Sequence, residues 1–152
     1  MPEPHWTAYV TALLTPAVAV FAAHVAASQW TTARNKLRFD LFEKRFAVYQ
    51  GARDFLGAIM TSGTASQEAE FKYLQATQAA KWIVGQEVHD YLEREIYKPA
   101  LALQCLDSEL DGMPPGEVRT KKVERKAELR KHLNAQFERL DTWFSAYLKL
   151  EH

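Results

Sequence analysis

Cysteine, glycine and proline are scarce in this chain of 152 residues, and its first stretch has almost no charge. The one cysteine, Cys105, excludes an internal disulfide and any multi-thiolate metal centre. Six glycines and six prolines are too few for the turns of a loop-rich β-sandwich. Net charge is missing as well, with 19 Lys and Arg against 19 Asp and Glu, which excludes a protein that binds nucleic acid by overall charge but not one with a local basic patch. No Gly-rich phosphate loop, nucleophile elbow or zinc motif occurs, so no catalytic set declares itself and neither a metal nor a cofactor is expected. The chain does hold 47% hydrophobic and 12% aromatic residues, enough to exclude a disordered polymer. Its length suits one domain, or one modest domain with an appendage.

The uncharged stretch is the most informative feature. No Asp, Glu, Lys or Arg falls between Glu3 and Arg34, a gap of 30 residues. Inside it, 18 of the 25 residues from Trp6 to Trp30 are apolar. A bilayer core is crossed by about 20 mainly apolar residues in a helix. Trp6 and Tyr9 stand at one end and Trp30 at the other, where aromatic belts belong. A long core helix of a soluble protein would need some face for water, and this stretch offers none. The sequence therefore predicts one transmembrane helix within residues 1–33. Positive charge follows it, at Arg34, Lys36 and Arg38, instead of preceding it as in a cleaved signal peptide. By the positive-inside rule the remainder, 34–152, is expected in the cytoplasm.

The span is rich in alanine. Ala19, Ala23 and Ala27 recur every fourth residue, widened by Ala22 and Ala26, a strip of small residues that lets helix backbones approach closely. Lipid is one expected partner and further copies of the chain, or another protein, are the other. His24 is an ionisable group at membrane depth, either facing a bundle interior or sitting inert near the cytoplasmic interface. Pro16 removes the donor for the carbonyl of Ala12 and predicts a kink.

Beyond Arg34 the periodicity is helical. Phe42, Phe46, Tyr49, Arg53, Leu56 and Met60 mark an apolar stripe over about 31–61, interrupted by Arg53 and continuous with the span. Residues 61–66 carry turn chemistry, and Thr64 with Gln67 fits a capping box. Gly85 divides the next stretch, Pro99 should kink or stop a helix near Lys98, and 112–116 is a clear break. A last helix runs from Glu117 to Leu148 with Leu133, Phe137, Leu140, Phe144 and Tyr147 in near-heptad register. No segment alternates like a strand. The expected fold is all-α, a single N-terminal transmembrane helix feeding an antiparallel helical bundle. Cys105 reads as a small core residue of that bundle.

Charge is unevenly spread. Residues 66–111 hold nine acids and four bases, whereas 119–132 hold seven bases and two acids. Lys121, Lys122, Arg125, Lys126, Arg130 and Lys131 form a candidate patch for an anionic partner, either lipid headgroups or RNA, or else they lie against the acidic helices. No aromatics interleave with them to stack bases, which disfavours nucleic acid. His89 with Glu93, and Glu128 with His132, are i,i+4 pairs, but the Glu-x-x-His spacing of di-iron bundles is absent. Arg125 and His132 are the weak candidates for catalysis: their spacing is similar to the Arg-x(4–6)-His pair of HEPN-type ribonucleases, in which that pair acts on RNA phosphate across a dimer of helical bundles. Lys126 stands where that family has Asn, His or Asp.

Several phrases carry a wider resemblance. Gln29-Trp30, then residues 36–49 (KLRFDLFEKRFAVY), 80–88 (AKWIVGQEV), 91–97 (YLEREIY) and 143–148 (WFSAYL), resemble a widespread group of small bacterial proteins with one N-terminal membrane helix. That resemblance implies an inner-membrane protein with a helical cytoplasmic domain and brings no agreed activity. Residues 150–152 read as native by the same likeness, although a tag remnant would look the same. In architecture alone the chain is also similar to small membrane pore proteins that accompany CRISPR nucleases, which adds a pore-forming effector to the expected alternatives. The leading expectation is a non-enzymatic, homo-oligomeric membrane protein whose cytoplasmic bundle assembles or senses a partner.

Overall fold

A computed structural model describes the backbone of residues 6–149 and the side chains of residues 18–149. The backbone is helical nearly throughout, with no strand among the described residues. The elements are α1 (Trp6–Ser62), α2 (Gln67–Thr77), α3 (Ala80–Ile83), α4 (Gln86–Tyr91), a π-helical turn (Leu92–Tyr97), α5 (Lys98–Leu110) and α6 (Glu117–Phe144). Contacts divide the chain into two units, Met1–Asp40 and Leu41–His152.

The first unit is the N-terminal part of α1. From Val18 to Phe39 every side chain is exposed except half-buried Val25. Among the described residues, no helix is long and apolar enough to cross a membrane. The expected span is thus described in side-chain detail only over Val18–Trp30; the side chains of Trp6 and Pro16, like the chain's last three residues, lie outside the described residues. Polar groups near the end of that stretch turn back on the helix. Ser28 Oγ donates to the Val25 carbonyl at 2.8 Å, Thr31 Oγ1 to Ala27 at 3.0 Å and Thr32 Oγ1 to Ser28 at 2.9 Å.

The second unit is a helical bundle. Val48, Ala52, Phe55, Leu56 and Ile59 of α1 fall on one face, repeat at steps of three and four, and are buried. Tyr73 of α2, Val88 and Tyr91 of α4, Leu92 and Ile96 of the π-helical turn, Leu103 of α5 and Leu129, Leu133, Leu140 and Phe144 of α6 complete the core. Phe55 stacks on Tyr73, their ring centroids 4.5 Å apart, and Tyr73 stacks in turn against Tyr97. Helix α1 ends at a glycine: Gly63 takes φ +82°, and its N–H returns to the carbonyl of Ile59 at 2.8 Å.

Three local expectations need correction. The cap of α2 is Ser66, whose Oγ accepts from the N–H of Ala69 at 3.2 Å, and not the Thr64–Gln67 box; the helix starts two residues later than that box requires. Cys105 is exposed, because it lies two residues, about 200° of helix, from buried Leu103. Helix α6 stops at Phe144 and not at Leu148: the N–H groups of Tyr147 and Leu148 both turn back to the Phe144 carbonyl. Gly85 does divide its stretch, standing between α3 and α4 at φ +109°.

Candidate functional site

Pro99 shapes the most distinctive part of the bundle. An α-helix would carry the N–H of residue 99 to the carbonyl of residue 95, and proline has none to give. The chain widens just before it into the π-helical turn Leu92–Tyr97, and the Lys98 N–H reaches back to the carbonyl of Glu93. Two carbonyls of this turn take side-chain donors. Tyr73 Oη donates to Leu92 at 2.9 Å. His132 Nε2 lies 3.0 Å from the carbonyl of Glu95, the acceptor that Pro99 leaves without its usual donor. A carbonyl can only accept, which assigns the hydrogen to Nε2. Single-turn π segments are frequent at functional sites.

A cavity of about 370 Å³ opens here, lined by Arg94, Glu95, Pro99, Arg125, Glu128, Leu129 and His132. It therefore brings together the two weak catalytic candidates, Arg125 and His132. Each is already engaged. Arg125 Nη1 donates to Glu128 at 3.0 Å, one turn along the same helix. His132 serves the Glu95 backbone, with the Glu95 carboxylate 3.5 Å away and Arg139 4.0 Å from that carboxylate. Behind His132 the polar chain runs inward. Gln136, fully buried, donates to the His132 carbonyl at 3.2 Å and accepts from Tyr91 Oη at 3.1 Å. Burial raises the Tyr91 and Tyr73 hydroxyls well above the ordinary tyrosine range, so both remain protonated donors. The set can hold helices in register. It presents no general base free of structural duty.

The basic patch is largely neutralised. Lys122 pairs with Glu109 at 2.8 Å and Lys126 with Asp107, both on α5, while Lys121 pairs with Glu117 at 2.7 Å. Among the described residues no carboxylate pairs with Arg130 or Lys131, both exposed. Lys122 and Lys126 tie α6 to the acidic end of α5. Sequence periodicity could not show this, because it does not say which helices meet. His89 and Glu93 find no third ligand, and no cluster of three metal-binding side chains occurs among the described residues.

The span candidates sit elsewhere. Ala19, Ala23, His24, Ala27 and Trp30 are all exposed on the N-terminal part of α1, as are Ala22 and Ala26. Two residues escaped the sequence reading. Gly51 is one: a Cβ placed there would stand 2.3 Å from the Cβ of Ala76, so the α1 backbone lies against the Ala76 methyl group of α2. A glycine inside a helical pattern was the available signal. Trp82 is the other, 82% exposed on α3 beside Lys81. No family model, curated protein or solved structure matches this chain.

Proposed function

We propose that this is a single-pass bacterial inner-membrane protein, anchored by the N-terminal part of α1, whose cytoplasmic bundle assembles with further copies or senses a partner protein without catalysing a reaction. One observation carries the reading. Val18, Val20, Phe21 and Trp30 are 58–73% exposed on a helix that has no Asp, Glu, Lys or Arg between Glu3 and Arg34. Water is a poor solvent for such a surface: each large apolar side chain left exposed forgoes about 1.5–3 kcal/mol of burial. Lipid or other helices would cover it. The hydroxyls of Ser28, Thr31 and Thr32, bonded within their own helix, already meet the demand of a medium that offers no hydrogen bonds.

The orientation rests on Arg34, Lys36 and Arg38, which follow Trp30 and favour a cytoplasmic C-terminal side. Self-assembly rests on the exposed Ala19–Ala23–Ala27 strip, which suits close helix packing better than lipid contact. The resemblance to small single-span bacterial proteins agrees with the orientation. Membranes from expressing cells, washed at alkaline pH, test the anchor: an anchored chain stays in the pellet, and release into the supernatant removes the membrane reading. Native mass measurement in mild detergent tests assembly, and a strict monomer removes that part.

A further inference from the structure

We propose a second membrane contact on the bundle itself: the α3 tip, Lys81 and Trp82, docks on the headgroup layer of an anionic bilayer. This rests on the membrane reading above and adds which surface of the cytoplasmic unit meets lipid. Trp82 is the most exposed large apolar side chain among the described residues. Its indole carries the Lys81 ammonium over the ring, 5.3 Å from the centroid. An aromatic ring with an adjoining cation is the chemistry of the bilayer interface, where the indole enters the headgroup zone and the ammonium meets lipid phosphate.

Within the second unit the fold sets this tip beside Arg45 of α1. Arg45 Nε donates to the carbonyl of Ile83, next to Trp82, at 3.3 Å, and the Arg45 guanidinium also lies over Tyr147. Leu41 and Phe46 on the same part of α1 are exposed. Over residues 34–45 five bases (Arg34, Lys36, Arg38, Lys44, Arg45) stand against two acids (Asp40, Glu43), a net of plus three that complements an anionic surface. Trp30 and Leu37, seven residues apart in the first unit, are exposed on one helix face.

The test uses the full chain reconstituted in vesicles, with Cys105→Ser removing the native thiol. An environment-sensitive dye is placed singly at Gln78→Cys beside α3, at Val20→Cys in the span, or at Glu124→Cys on α6. With phosphatidylglycerol vesicles the dyes at 20 and 78 should shift to shorter wavelength and lose intensity to nitroxide-bearing lipid, while the dye at 124 stays in water. Adding Lys81→Ala and Trp82→Ser should abolish the shift at 78 and leave that at 20. A wet dye at 78 with a dry one at 20 overturns the docking and leaves the anchor standing. Wet dyes at both positions overturn the two together. Equal shielding at 78 in purely phosphatidylcholine vesicles or detergent micelles also overturns the proposal, and assigns the tip to a second copy of the chain instead.

Discussion

His132 on α6 supplies the hydrogen bond that Pro99 cannot: its Nε2 stands 3.0 Å from the carbonyl of Glu95, four residues before the proline. A helix-breaking residue is thus tolerated inside the bundle because a distant imidazole satisfies the acceptor it leaves behind. The arrangement gives His132 a structural duty and accounts for its place in a cavity with Arg125 without invoking chemistry.

That relationship makes His132→Ala a stability variant. Removing the donor leaves the Glu95 carbonyl short of a partner, while the His132 backbone carbonyl keeps its bond from Gln136. A loss of about 1 kcal/mol is expected, because this acceptor is only part-buried and faces a cavity open to water. Urea unfolding of the full chain in mild detergent, followed by circular dichroism, measures it. Pro99→Ala restores a backbone N–H at position 99, so the His132→Ala penalty should shrink in that background. RNA incubated with wild type should remain intact, and cleavage lost on Arg125→Ala or His132→Ala would refute the structural account.

Gly51 and Gly57 offer an internal comparison, both in α1 and both without a side chain. A methyl group at 51 collides with Ala76 Cβ at 2.3 Å, whereas at 57 it meets nothing within 4 Å. Gly51→Ala should cost about 1–3 kcal/mol, the range for overpacking. Gly57→Ala should gain about 0.5–1 kcal/mol from the better helix former. Ala76→Gly should rescue the first and leave the second unchanged, which thermal or urea melts of wild type, the three single variants and the two double variants resolve.

The contrast shows what the sequence could and could not disclose. The α6 stripe of Leu133, Leu140 and Phe144, the break at Gly85 and the run of α1 into the bundle were all readable, because each follows from local periodicity or local backbone chemistry. Gln136 was not: it occupies a fully buried core position as a polar residue, acceptable only because Tyr91 and the His132 carbonyl satisfy it. The wide turn before Pro99 was foreseen only as a break, since its remedy lies on another helix. Cys105 was misplaced, although its two-residue offset from Leu103 already put it on the far face of α5. The functional candidates fared as their range in sequence dictated. Of the α6 lysines, Lys122 and Lys126 meet partners on α5 that lie thirteen and nineteen residues away in sequence, a pairing that local periodicity does not announce.

Alkaline pH should unfold the bundle through its buried tyrosines. Burial raises the hydroxyl pKa of Tyr73 and Tyr91 in the folded protein, while in the unfolded chain they titrate near the ordinary value of about 10. The folded state therefore holds its protons longer. Stability from this source is complete below pH ~10 and declines as the pH rises above it, because only the unfolded chain can release the proton readily. A pH series of urea midpoints should show that fall. Tyr73→Phe should start lower by about 1 kcal/mol at neutral pH, having lost its bond to the Leu92 carbonyl, and then lose less than wild type as the pH climbs.

The exposure of Cys105 turns the chain's only thiol into a reporter of which side of the membrane the bundle occupies. Being exposed on α5, it should react with a maleimide in the folded protein at the rate of an accessible thiol, without denaturant. The proposed topology places it in the cytoplasm. A membrane-impermeant maleimide added to intact spheroplasts should therefore leave Cys105 unmodified, and the same reagent after lysis should label it fully. Labelling in intact spheroplasts would invert the orientation inferred from Arg34, Lys36 and Arg38. A thiol that stays unreactive after lysis would mean that another copy or a partner covers α5, and Leu101, exposed on the same helix, would then be the first position to substitute.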